Sequence, residues 1–302
     1  MFKIKALLSA LLLAISLNAE AAMRVVTSTQ DLAAITSAIG GKHVQVESLT
    51  LGTRDPHYAV AKPSMIHKVY RADLLIVVGA DMEVGWLPPL IQSARNPRIQ
   101  LGSSGYLDTS SVIPLLGKIQ GPISRNMGDV HANGNPHYWL DPRNGIRMAK
   151  AITERLSILD PENSEVFQRR FNEFEKEIKE KLMAWQERLL HLNKKPVVAY
   201  HNSFLYLANA FNFNIVDEVE SKPGIAPSAA SLNSLVKRIQ QEQIGFLIIE
   251  PYYEKRSANF LNKQTGIKVI VLPQSVGAYP EIMTYFDLFE TIVQALEKAG
   301  DS

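Results

Sequence analysis

Short, continuous apolar runs bounded by turn residues recur along this chain, the pattern of strands buried on both faces of a parallel sheet. They fall at Arg24 to Thr27, Val44 to Leu49, Asp73 to Val78 and Arg98 to Leu101. A second set follows at Pro196 to Tyr200, Asn214 to Val219, Gly245 to Ile249 and Lys268 to Leu272. The segments between them carry helical periodicity; behind Pro63-Ser64, for example, Met65, Ile66, Val69 and Tyr70 share one face. In both quartets the first strand runs into a polar turn and an aliphatic helix (VVTSTQDLAAI and VVAYHNSFLYLANAF), the third is the most apolar, and the fourth is short. The pattern predicts an α/β protein of two similar lobes, each with a four-stranded, mostly parallel sheet flanked by helices.

The most regular stretch lies between the two quartets. Asp160-Pro161 supplies an N-cap and a first-turn proline, and Phe167, Phe171, Phe174, Ile178, Leu182, Trp185 and Leu189 then recur at helical steps. Run to His191, this is one helix about 45 Å long, enough to lie along both lobes as a stiff link. An ordinary packing helix of the second lobe is the plainer alternative. The expected division is a leader at 1–21, a first lobe at 22–159, a linking helix at 160–192 and a second lobe at 193–302.

The N-terminus differs in character from the rest. Lys3 and Lys5 precede twelve residues of Ala, Leu, Ile and Ser (Ala6 to Leu17), and Ala19-Glu20-Ala21 has the small-x-small form of a cleavage site. This reads as a secretory signal peptide, too short in its apolar core to span a bilayer. The chain of 302 residues is 46% hydrophobic with no Cys, so nothing after the leader can accept a lipid and no disulfide framework exists. The expectation is a soluble, unlipidated periplasmic protein. A formal net charge of +2, without a dense basic run, argues against a nucleic-acid surface.

The candidate chemistry rests on histidines. His57 sits in Asp55-Pro56-His57, after the second strand, and His201 directly follows the strand PVVAY. His137 sits in Asn135-Pro136-His137-Tyr138-Trp139-Leu140-Asp141-Pro142, ahead of a helix that Asp141 caps and Pro142 opens. Ligands bind at strand carboxyl ends in open parallel sheets, and three imidazoles with one further position suit zinc. The prolines before His57 and His137 stiffen the backbone and remove a competing N–H. His43, His67 and His191 read as structural or solvent-facing, and His131 as a solvated loop residue that could meet metal only transiently.

With these residues in view, the chain resembles the substrate-binding proteins of zinc and manganese ABC importers, the group with a rigid linking helix. The resemblance is carried by DPH at Asp55 to His57, NPHYWLDP at Asn135 to Pro142, YHNSF at Tyr200 to Phe204, KPGIAPSAASL at Lys222 to Leu232 and IIEPYYE at Ile248 to Glu254. It implies metal ligands at His57, His137 and His201. The family's frequent fourth ligand, an Asp after the last strand, is replaced here by Pro273, leaving water or a nearby carboxylate, with Glu250 the candidate. The long His/Asp-rich insertion that many zinc-specific members carry before NPH is absent. Manganese-handling members tend to carry a carboxylate where His201 stands, so the resemblance implies zinc first and manganese second, as transported cargo rather than catalytic cofactor. It also implies a monomer that hands the metal to a permease of the inner membrane.

Three histidines and an open position also describe a catalytic zinc site, which makes a secreted hydrolase the rival reading. No HExxH helix and no nucleophile elbow accompany them. An adhesin or metal store is a third class that composition leaves open.

Overall fold

The computed structural model describes residues 22–119, 131–220, 222 and 224–300; the expected leader and its cleavage site lie outside the described residues. The first sheet is built from β1 (Met23–Thr27), β2 (Val44–Ser48), β3 (Leu74–Val77) and β4 (Tyr106–Asp108), in the order β2-β1-β3-β4 with every pair parallel. Helices α1 (Gln30–Gly40), α2 (Pro63–Arg71) and α3 (Leu87–Ala94) make its crossovers. Two long helices follow, α4 (Pro142–Leu159) and α5 (Ser164–Arg188). The second sheet, β5 (Pro196–Ala199), β6 (Asn214–Glu218), β7 (Phe246–Ile249) and β8 (Lys268–Val271), repeats the order as β6-β5-β7-β8, again all parallel. It is flanked by α6 (Leu205–Phe211), α7 (Ala229–Glu242), α8 (Arg256–Thr265) and α9 (Tyr285–Gly300). The central strands are apolar because helices cover both faces, and every residue of β3 and β7 is buried.

One strand departs from expectation. The run at Arg98 to Leu101 is not β4: Pro97–Ile99 forms a 3-10 turn, opened by Asn96, whose Oδ1 accepts from the Arg98 N–H at 3.0 Å. Pro97 has no N–H for a ladder. Ile99 supplies the apolar signal from inside that turn, while Leu101 is 84% exposed. The chain then passes Gly105, where a Cβ would fall 2.4 Å from the Arg98 carbonyl oxygen, and pairs Tyr106, Leu107 and Asp108 with Leu75, Ile76 and Val77. In α2, Met65 and Val69 are buried as expected, but Tyr70 is exposed.

The linking segment is one α-helix over Ser164–Arg188, about 37 Å long, set between 3-10 turns at Pro161–Asn163 and Leu190–Leu192. Its first half lies on the first lobe: Phe167 meets the His43 ring edge-on, and the Arg170 Nε donates to the Ala38 carbonyl at 2.8 Å. From Phe174 onward it lies on the second lobe. There Phe174 packs against Tyr285 and Phe286, Trp185 stacks on Phe289, and the Arg188 guanidinium spans Glu290 and Glu297. Each fully buried aromatic of this kind contributes about 1.5–3 kcal/mol by leaving water, so the stripe fastens both lobes to one rod.

The lobes also meet directly. A single hydrophobic cluster runs from Val25 and Ile76 of the first sheet through Trp139 and Phe174 to Phe246, Ile248 and Leu288. Across the seam Trp139 Nε1 donates to the Gln274 carbonyl at 2.8 Å and the Tyr285 hydroxyl donates to the Trp139 carbonyl at 2.5 Å. Asp31, in the first turn of α1, accepts from the Ser275 hydroxyl at 2.5 Å and from the Val276 N–H at 2.9 Å.

Burial pushes the Asp31 carboxyl from 3.8 up to about 7, against the pull of its Ser275 and Val276 bonds. The folded protein therefore holds this proton more tightly than the unfolded chain, so the stability Asp31 contributes is full below about pH 4 and is lost as pH rises toward 7. Asp31→Asn keeps an acceptor for Val276 and removes the charge. Its stability relative to wild type should rise between pH 4 and pH 7, by up to about 1.4 kcal/mol per pH unit, in denaturant melts; a difference flat with pH would contradict a buried, uncharged Asp31.

Candidate metal centre

The carboxyl ends of both sheets face the seam, and the three histidines arrive there from separate loops. His57 lies in a 3-10 turn after β2 (Pro56–Tyr58), tied down where Trp86 Nε1 donates to the Pro56 carbonyl at 3.0 Å. His137 precedes the 3-10 turn Tyr138–Leu140 that leads into α4, where Asp141 caps through the Arg143 N–H. His201 lies one residue beyond Tyr200, past the end of β5. One ring nitrogen from each lies within 4.8 Å of the other two, the only such grouping of His and acidic residues, three or more, among the described residues. The ring centroids stand 5.1, 5.6 and 5.9 Å apart.

The same arrangement holds each ring. Asp55 Oδ1 accepts from the His57 backbone N–H at 2.9 Å and pairs with His57 Nδ1 at 2.7 Å. Asn135 Oδ1 does both for His137, at 2.9 and 3.0 Å. In each case an Asx side chain two residues upstream, across an intervening proline, grips both the backbone and the ring. His201 Nδ1 pairs with Glu220 Oε2 at 3.0 Å, and Glu220 is anchored in turn by the N–H of Gly224 at 3.2 Å. An amide oxygen can only accept, so His137 carries its proton on Nδ1, and the carboxylates favour the same tautomer in His57 and His201. All three rings thus present a bare Nε2. That of His137 is buried with no hydrogen-bond partner, a lone pair sealed from water.

Two of these holding groups, Asp55 and Asn135, are themselves tied across the seam. The Tyr253 hydroxyl, from the second lobe, donates to Asp55 Oδ2 at 3.3 Å. Asn135 Nδ2 donates to the Asn202 carbonyl at 2.6 Å, and Asn135 O accepts from the Tyr206 hydroxyl at 2.9 Å.

Burial, with the neighbouring His57, His201 and His131, holds His137 well below the ordinary imidazole range. Burial also works against the charged form of His201, but the Glu220 hydrogen bond and the charges of Glu250, Glu220 and Asp55 outweigh it and raise His201. Glu250 follows β7, is fully buried, and makes no hydrogen bond of ordinary geometry through either oxygen. Burial pushes its carboxyl up to about 7, with the charge of His201 and the nearby Ser203 hydroxyl acting the other way. It is not one of the three residues grouped within 4.8 Å. Pro273 is buried beside Gln274, whose Oε1 accepts from the Tyr252 hydroxyl.

Of the other histidines, His67 and His191 are exposed and His43 packs on Phe167, all away from this cluster. His131 is placed differently from its reading as a solvated loop residue: its Nε2 stands 3.1 Å from His57 Nε2, with ring centroids 5.1 Å apart. The loop turns back through Gly134, at φ 125, where a non-glycine residue would be strained, and Asn135 then hydrogen-bonds to Leu116.

The family model described as zinc-uptake complex component A, periplasmic, matches residues 25–299, and the chain belongs to that family. It is similar to the high-affinity zinc uptake system protein ZnuA of Yersinia pestis, 28% identical over 278 residues, covering 87% of this chain and 86% of that one. The metal ABC transporter substrate-binding lipoprotein SloC of Streptococcus mutans is 25% identical over 259 residues, covering 83% and 80%. The manganese ABC transporter substrate-binding lipoprotein PsaA of Streptococcus pneumoniae is 25% identical over 291 residues, covering 93% and 84%. Among solved structures, a crystal structure of ZnuA superposes with a TM-score of 0.74 at 22% identity, covering 93% of this chain and 99% of that chain. The manganese-bound periplasmic metal binding protein from Candidatus Liberibacter asiaticus does so with a TM-score of 0.74 at 19% identity, covering 92% and 99%. These likenesses establish the two-lobe fold.

Removing an outer partner of a ligating histidine costs about 10- to 100-fold in metal affinity. Glu220→Gln should therefore weaken zinc binding on that scale in a chelator-competition titration, with stoichiometry unchanged; no loss would show that Glu220 does not set the presentation of His201.

Proposed function

We propose, with that family membership as the premise, that this protein captures zinc between its lobes and delivers it to an ABC importer permease in the inner membrane. His57, His137 and His201 are the ligands in this reading, and Glu250 lends negative charge that acts on His201. The observation that carries it is the matched presentation of three bare Nε2 atoms, each ring held at Nδ1, from loops of two lobes. Three nitrogens suit zinc at about 2.0–2.1 Å, whereas manganese favours more oxygen. Manganese is the rival cargo, since a relative named for that metal is as similar as one named more generally for metal.

The protein acts in this reading as a monomeric carrier rather than an enzyme. A hydrolytic zinc site needs a carboxylate base beside a bound water and room for substrate; here the carboxylates of Asp55 and Glu220 are engaged in holding histidine rings, and Glu250 is fully buried, away from any substrate. No helix among the described residues is long and apolar enough to cross a membrane. Together with the family's periplasmic description and the absence of Cys, this supports an exported, unlipidated protein, divided into a leader at 1–21, lobes at 22–159 and 193–302, and a link at 160–192.

Replacing His57, His137 and His201 together by alanine should abolish stoichiometric zinc retention after dialysis, while wild type keeps one zinc per chain in preference to manganese. Ligating imidazoles must be neutral, so zinc affinity should fall as pH drops. His201 is raised by its carboxylate neighbours, so the loss begins above the free-imidazole value of about 6.5. Stoichiometric zinc on the triple variant, or affinity unchanged between pH 8 and pH 5, would overturn the assignment.

A further inference from the structure

We propose that His131 is the fourth ligand of the metal, completing an all-imidazole site. The inference rests on the three-histidine reading above and extends it to the position that sequence left to water or Glu250.

The geometry at His57 carries the argument. Two nitrogens bound to one tetrahedral zinc at about 2.0–2.1 Å stand about 3.3–3.4 Å apart. His131 Nε2 and His57 Nε2 are already 3.1 Å apart, nearly that edge. His57 Nδ1 donates to Asp55, so in the neutral ring its Nε2 is bare and the proton between the two rings belongs to His131. In this arrangement His131 therefore donates to the lone pair that a metal would take. When metal takes the His57 lone pair, His131 loses its acceptor. Ligation requires the other neutral tautomer of His131, with the proton on Nδ1 and Nε2 bare, and the exchange of tautomers leaves the net charge unchanged.

His131 is not one of the residues grouped within 4.8 Å, so its ring must swing toward His137 and His201 about the His57 contact. It enters from a loop rather than a strand end, with a turn at His131 to Gly134 closed by the Gly134 N–H donating to the His131 carbonyl at 3.3 Å. The other three rings are fixed by caps, cross-lobe bonds and burial. Glu250, the competing donor, is likewise outside the grouped set, and no hydrogen bond joins it to any of the three presenting nitrogens.

Zinc K-edge X-ray absorption on the full protein, loaded with one equivalent of zinc, counts the imidazoles. The expected result is four in wild type and in Glu250→Gln, and three plus one oxygen in His131→Ala. Chelator competition should show His131→Ala binding zinc at least about 10-fold more weakly than the control His67→Ala. Three imidazoles and an oxygen in wild type, unaltered by His131→Ala, would overturn the fourth-ligand proposal while leaving the three-histidine site standing. Fewer than three imidazoles in wild type would overturn both.

Discussion

The proposed metal centre can form only while two separately built sheets are held at a fixed distance, because His57 and His137 belong to loops of one lobe and His201 to the other. What holds them is a continuous apolar core reinforced by buried hydrogen bonds at the seam. Trp139, two residues from His137, donates to the second lobe and accepts from Tyr285. Asp31 binds the loop after β8, and the Phe167 to Trp185 stripe runs under both lobes. Each buried hydrogen bond is worth about 1 kcal/mol net, but leaving one partner unmet after an opening motion costs more than the bond contributes. The seam therefore resists separation.

That mechanical constraint explains the chemistry chosen for the loops. A ring that is free to rotate or to change tautomer would offer its lone pair in many directions. Here Asp55, Asn135 and Glu220 fix both orientation and proton position before any ion arrives. Two of the three holders carry charge and one is neutral. Asn135 is the one next to the most buried ring, where a neutral amide orients His137 without adding an unpaired charge. The partners of Asp55 and Asn135 lie across the seam, so lobe packing and the presentation of His57 and His137 are one network, while Glu220 is anchored within its own lobe.

Much of this was legible because it was written in local signals. Apolar runs marked seven of the eight strands, since a strand covered on both faces has no polar alternation to hide it. The eighth was misplaced because Ile99 is buried from a proline-opened turn, which apolar content alone cannot tell from a short strand. The linking helix was legible from its stripe of Phe167, Phe171, Phe174, Ile178 and Trp185, but ends sooner than the periodicity suggested, because Leu189 keeps the spacing while the backbone passes into a 3-10 turn. At the site, DPH and NPH stood out as motifs for their histidines, but that the Asx two residues upstream holds the ring appears only in the structure, although its fixed spacing in both motifs is the signal that carries it. Glu220 had no such sign, being 19 residues from His201 and brought to it only by the pairing of β5 with β6. His131 was passed over because a Gly/Asn-rich loop looks solvated whatever it folds against.

The central claim is that three fixed imidazoles from two lobes converge on one ion through Nε2. Anomalous diffraction at the zinc edge, from crystals of the protein loaded with one equivalent of zinc, tests it directly. The account predicts a single peak about 2.0–2.1 Å from Nε2 of His57, His137 and His201, with Asp55, Asn135 and Glu220 still on the opposite ring nitrogens. A peak held by one lobe alone, or reached through Nδ1, would contradict it.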